Sequence, residues 1–157
     1  MKHILLVLSI LSGLALSMSA QARDVTFITQ LARYSGSGAY FAIYILDKNG
    51  KYQQTIWVAG KKSKYYSDLR GWSRASGKKP AEYDGKTGAS VTSGRSLTIT
   101  QNIPDNLIDS GYQIVIDTAV EDARRNKADV STPFTTAGSG KAVVGSGYVM
   151  SFTYDFK

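Results

Sequence analysis

Chemistry in this chain must be done with hydroxyls, carboxylates, amines and aromatic rings, because it has no cysteine and its one histidine is His3, near the start. A chain that loses His3 with its leader cannot assemble a Ser-His-Asp or Cys-His nucleophile pair, and it lacks the usual ligands of zinc, copper thiolates and histidine-ligated haem. Met150 remains as the soft ligand. What is left favours a binding module, a carrier of a cofactor attached by other means, or a carboxylate-based hydrolase. The densest set of usable groups is "YDGKTGASVTSG", Tyr83 to Gly94, where Asp84, Thr87, Ser90, Thr92 and Ser93 are interleaved with Gly85, Gly88 and Ala89. On local chemistry this is a turn: Asp84-Gly85 and Thr87-Gly88 are turn formers, and the later hydroxyls can cap or join a strand that starts near Ser96.

The carboxylates give no comparable focus. Glu121 and Asp122 are adjacent and point to opposite sides if their strand persists, and Asp105 and Asp109 flank a loop. A glycosidase needs two carboxyls held across a cleft, and no spacing here selects a pair. Aromatics are more telling. "KYYSDLRGW" places Tyr65, Tyr66 and Trp72 in an irregular segment beside lysines, where flat rings with polar tips suit stacking on sugars or isoalloxazine rings. Basic residues fall in small groups, "GKKSK", "GKK" and "ARRNK", which read as solvated loop faces. The net charge of +7 becomes +6 without Lys2, so the surface attracts anions in general. No nucleic-acid-binding motif is present, and nucleic acid is not an expected partner.

The elements that must position these groups are mainly strands. "DVTFITQLA" alternates Val25, Phe27, Thr29 and Leu31 on one face, as a half-buried strand does. "YFAIYIL" and "KYQQTIWVA" are joined by "DKNG", whose Asn49-Gly50 predicts a hairpin with a type I′ turn. Tyr65, Leu69 and Trp72 fall near helical spacing, so a short helical or loop insertion follows. Then come "RSLTITQNI", "YQIVIDTAVED", a polar loop through "ARRNKADVS", "TPFTTA", a glycine-rich turn, and "YVMSFTYDFK" with Tyr148, Met150, Phe152, Tyr154 and Phe156 on one side. Seven or eight strands at this spacing are those of a sandwich or barrel, and a single-domain antiparallel β-sandwich is the expected fold. An eight-stranded outer-membrane barrel also fits the alternating last strand, but the chain ends in Lys157 and two central runs are apolar on both faces.

The first residues, "MKHILLVLSILSGLALSMSAQARD", read as a secretory signal peptide over 1–22, with a domain over 23–157. The apolar run from Ile4 to Leu16 is shorter than the roughly 20 residues that span a bilayer, and no later segment approaches that length. The chain is therefore expected to be exported, with no transmembrane segment in the mature chain.

The order Asp84, two spacers, Thr87, Gly88, Ala89, Ser90 resembles the sequence at which exported flavoproteins receive FMN from a flavin transferase. In that signature an Asp, two free positions, Ser or Thr, Gly and Ala precede the Thr or Ser whose hydroxyl is esterified to the FMN phosphate. The resemblance implies Ser90 as acceptor, with Asp84, Gly85, Thr87, Gly88 and Ala89 as recognition determinants. Thr92 is a second hydroxyl to consider, since Ser stands where Thr is the commoner acceptor. Small neighbours suit the role, because the hydroxyl must enter another enzyme's cleft. Trp72, Tyr65 and Tyr66 are candidates for packing the flavin ring.

More broadly, "YFAIYILDKNGKYQQTIWVAGKKSKYYSDLRGWSRA", "DGKTGAS" and "DSGYQIVIDTAVED" together are similar to a family of predicted periplasmic proteins, domain of unknown function 2271. The Gly-Tyr strand also resembles an immunoglobulin-like domain of flagellar hook-capping proteins, a likeness of fold that does not establish function. What the resemblance implies is a small electron-transfer protein with covalent FMN, served by a flavin transferase and by a membrane-bound flavin or haem reductase, rather than a stand-alone enzyme. The competing expectation is a non-catalytic binding or assembly module using a basic, aromatic surface.

Overall fold

The computed structural model describes residues 21–157, so all but two positions of the expected leader lie outside the described residues. Eight strands form two sheets. β1 (Ala22–Leu31) sits between β5 (Ser96–Pro104) and β8 (Val149–Phe156) in a three-stranded antiparallel sheet. The second sheet has the order β4 (Thr87–Gly88), β3 (Tyr52–Ala59), β2 (Tyr40–Leu46), β6 (Gln113–Ala119), β7 (Arg125–Pro133). All its pairs are antiparallel except β3 with β4. The two sheets are separate and unclosed, which makes this an all-β sandwich and excludes the barrel alternative.

β1 buries Val25, Phe27, Thr29 and Leu31, the face its alternation marks. They meet Phe41, Ile43 and Ile45 of β2, Ile114 and Ile116 of β6, and Phe152 and Tyr154 of β8 in the inter-sheet core. β2 and β6 are apolar on both faces because the second sheet is covered on both sides. Its outer side carries a helical insertion made of a 3-10 turn (Ser63–Asp68), α1 (Arg70–Ser76) and α2 (Pro80–Tyr83). Tyr66, Leu69 and Trp72 of that insertion pack on Ala42, Tyr44, Val58 and Val115 as a second core.

Asp117 fixes the insertion. α1 has no side-chain cap of its own, but fully buried Asp117 of β6 accepts the Trp72 N–H at 2.8 Å in the helix's first turn. A carboxylate there complements the unpaired amides and the positive end of the helix dipole. The same carboxylate accepts the Tyr44 hydroxyl at 3.1 Å and the Ala128 N–H at 2.9 Å. Gly71 must be glycine, since a Cβ there would fall 2.7 Å from Asp117 Oδ2.

Three expectations change. The hairpin forms at Asn49-Gly50, but only Gly50 is left-handed (φ 77°), and Gly50 N–H donates to Asp47 O while Asp47 N–H donates to Lys51 O. This is a type I turn with a glycine bulge, selected by Asp47 Oδ1, which accepts from the N–H groups of Asn49 (2.8 Å) and Lys51 (2.9 Å). Second, most of "ARRNKADVS" is β7 rather than a loop; an edge strand needs few apolar residues, and Asp129 and Val130 are the ones it buries. Third, a bulge between Gln30 and Leu31 pairs Leu31 with Val149, so Val149 is buried and Met150 is turned outward.

Candidate functional site

The quoted loop is built from the end of the helical insertion to the start of β5. Pro80 begins α2, where its missing N–H costs nothing, and the helix ends as Asp84 N–H returns to Pro80 O. Left-handed Gly85 (φ 73°) turns the chain, and Lys86 N–H donates to Tyr83 O. The Asp84 carboxylate is exposed and makes no hydrogen bond among the described residues, so backbone contacts rather than this side chain set the turn.

β4 then docks on the end of β3, with Val58 N–H donating to Lys86 O and Gly60 N–H to Gly88 O. Lys86 Nζ adds a bond to Thr55 O at 3.1 Å. Gly88 is no flexible hinge: it lies in strand geometry against Trp57, and a Cβ there would fall 2.9 Å from Trp57 Cζ2. Thr87 and Ala89 are exposed on either side of it.

Beyond β4, Val91 is buried and exchanges both backbone hydrogen bonds with Ala39. The extended backbone therefore turns its two neighbours, Ser90 and Thr92, outward. Ser90 Oγ makes no hydrogen bond among the described residues and rests against Gly38, where a Cβ would come within 2.9 Å of it. Ser93 is different: its Oγ accepts the Tyr34 N–H and donates to Tyr34 O, both at 2.7 Å, locking residues 32–39 to residues 89–95.

The aromatic candidates separate. Trp72 is fully buried, donates Nε1–H to Thr55 Oγ1 at 2.8 Å and makes edge contacts with Tyr66 and Tyr83. Tyr66 is buried too, with its hydroxyl on Gly60 O at 2.7 Å. Both belong to the second core and offer no free face. Tyr65 is half-buried, its hydroxyl on Glu121 Oε1 at 2.6 Å, Lys64 Nζ over its ring and Tyr40 at its edge. The cavity that it shares with Tyr40, Asp68, Ala119 and Glu121 is about 10 Å³, no more than a single water needs.

No carboxylate pair emerges. β6 ends at Ala119, leaving Glu121 and Asp122 in the turn before β7, Asp122 with φ 56°. Asp105 is engaged by Arg23 and Asp109 by Thr136. Among the described residues no group of His, Cys, Asp or Glu is arranged to hold a metal.

The sequence did not single out the other side of Ser90. Arg33, Tyr34, Ser93, Gly94 and Arg95 line an open cleft of about 540 Å³. Tyr34 packs on Tyr148 at 4.7 Å between ring centres, and its hydroxyl reaches Ser37 O at 3.1 Å. Burial raises the Tyr34 phenol above its ordinary value. Neither Arg33 nor Arg95 is in an ion pair among the described residues, whereas Arg23 and Arg125 are. A signal existed in the turn-like "TSGR", but nothing local links it to Tyr34 sixty residues earlier.

Fold and site define a small β-sandwich that presents an unbonded serine on an edge loop beside a basic cleft. The chain belongs to the family of predicted periplasmic proteins termed domain of unknown function 2271, whose family model matches residues 22–151. No curated protein and no solved structure matches it. Among the described residues no helix is long and apolar enough to cross a membrane.

Proposed function

We propose that this periplasmic protein is a small electron carrier that holds FMN through a phosphoester at Ser90. The observation that carries the reading is the Ser90 hydroxyl itself: it is exposed, free of hydrogen bonds among the described residues, and flanked by Ala89 and buried Val91 on a segment pinned to Ala39. The loop fits a substrate of a modifying enzyme, since nothing larger than Lys86 stands between Asp84 and Ser90. In the transferase's cleft, Ser90 Oγ attacks the FMN-side phosphorus of a flavin dinucleotide. The new P–O bond replaces the one to the adenylate, AMP leaves, and the hydroxyl proton passes to a base of the transferase. FMN supplies the redox chemistry that a chain without Cys or mature His does not provide. A membrane-bound flavin or haem reductase is the partner class this reading requires.

The test is coexpression with a flavin transferase, followed by intact mass and in-gel flavin fluorescence. The wild type should gain the mass of FMN less one water; Ser90→Ala should lose it and Thr92→Ala should keep it. An unmodified wild type, under conditions that label a control acceptor, removes the reading. The binding-module reading, favoured by the unpaired Arg33 and Arg95 at the same end, would then stand alone.

A further inference from the structure

We infer that the cleft between Arg33 and Arg95 is the seat of the isoalloxazine ring, and that the two guanidinium groups favour the negative charge the ring gains on reduction. This rests on the flavin reading of Ser90 and replaces the aromatic side at Tyr65, Tyr66 and Trp72 with the opposite one.

Reach comes first. Ser93, in the cleft wall, opens the turn that Arg95 N–H closes on Thr92 O and is three residues beyond Ser90, hence at most about 10 Å away, a distance that the ribityl chain and phosphate of FMN can bridge. Tyr34 connects the two places: its backbone is clamped to Ser93 in the cleft, and its hydroxyl lies 3.1 Å from Ser37 O, next to the Gly38 that supports Ser90. The cleft volume of about 540 Å³ lies within the roughly 300–1,000 Å³ of small-molecule and cofactor sites. The space around Tyr65 does not approach that range and is lined by Asp68 and Glu121, the wrong sign for an anionic ring.

Charge comes second. Arg33 and Arg95 are exposed, lack an ion-pair partner among the described residues, and share their cleft with no carboxylate. A planar guanidinium stacks on a flat ring and stays charged at every relevant pH. Positive charge near the pyrimidine edge of a flavin is one of the ways a protein tunes its electronics.

The experiment compares transferase-coexpressed wild type with Arg33→Gln, Arg95→Gln, the double variant, Tyr34→Leu, and, as a charge-matched control, Lys48→Gln/Lys51→Gln in the hairpin turn at the far end of β2 and β3. Intact mass reports loading, while midpoint potential and flavin fluorescence report the seat. All variants should load as the wild type does. The double arginine variant should shift to a more negative potential with the lysine control unshifted, and Tyr34→Leu should raise fluorescence several-fold by removing a quencher beside the ring. Loaded arginine variants with wild-type potential and fluorescence overturn the inference and leave flavin attachment standing. Arginine variants that fail to load overturn it as well, since the arginines would then guide the transferase. A wild type that does not load, beside a labelled control acceptor, removes both readings.

Discussion

At the residue scale, side chains of the same type have opposite fates. Ser90 and Ser93 are three positions apart, yet Ser93 is committed to two backbone bonds with Tyr34 while the exposed Ser90 hydroxyl makes no hydrogen bond among the described residues. Gly88, the glycine of the attachment-like motif, is also a packing residue. Replacing it with alanine drives a Cβ against Trp57 and should cost about 1–3 kcal/mol in urea unfolding, the usual range for overpacking. Thr29 offers the reverse case. It is fully buried in the inter-sheet core and its Oγ1 has no partner among the described residues. Thr29→Val removes the hydroxyl without changing the branched shape and should stabilise the fold by about 1 kcal/mol, read as a higher midpoint in urea. A lower midpoint would mean that Oγ1 has a partner in solution.

At the element scale, one buried carboxylate, Asp117, anchors the first turn of α1 to the second sheet. Asp117→Ala should leave the N–H groups of Trp72 and Ala128 and the Tyr44 hydroxyl without their acceptor, costing about 3 kcal/mol or more from lost bonds to a charged group. Trp72 fluorescence should report the loosening before the circular dichroism of the strands does. A second element-level tie joins the start of β1 to the loop after β5: Arg23 Nε lies 2.7 Å from Asp105 Oδ1. Its hydrogen bond holds the Asp105 carboxyl below its ordinary 3.8, and the Thr136 hydroxyl and N–H do the same for Asp109. A carboxyl whose folded pKa is depressed contributes stability that is fully present above its unfolded pKa and lost as pH falls through the folded one. The melting temperature should therefore decline once pH drops below about 4, and the decline should be shallower in an Arg23→Gln/Asp109→Asn protein.

At the scale of the whole molecule, two cores share β2 and β6, one between the sheets and one beneath the helical insertion. Because β2 and β6 supply both, the cores should be lost together. Trp57 packs at the first and Trp72 in the second, so Trp57→Phe and Trp72→Phe each leave one fluorescent probe in one core. In each variant, urea transitions by fluorescence and by circular dichroism should coincide; a separate early transition at Trp72 would show that the insertion unfolds by itself. The sandwich was legible in the sequence because period-two burial and turn residues are local: β1 reads off Val25, Phe27, Thr29 and Leu31 without knowledge of its partners. β7 was not legible, since an edge strand rich in Arg, Asn and Lys is a strand only because β6 lies beside it. The turn at Asp47, the bulge that turns Met150 outward, and the burial of Tyr66 and Trp72 likewise depend on contacts between distant positions. By itself the sequence determined which side chains are scarce, through the lack of cysteine and of any histidine but His3, and which loop carries small residues around a hydroxyl. Tertiary structure alone decided that Ser90 faces outward from the Ala39–Val91 pair and rests against Gly38, and that Trp72 is closed into the second core. The physical reason is that composition and local order fix what groups a chain owns, whereas strand pairing across fifty or more residues fixes which of them share a surface.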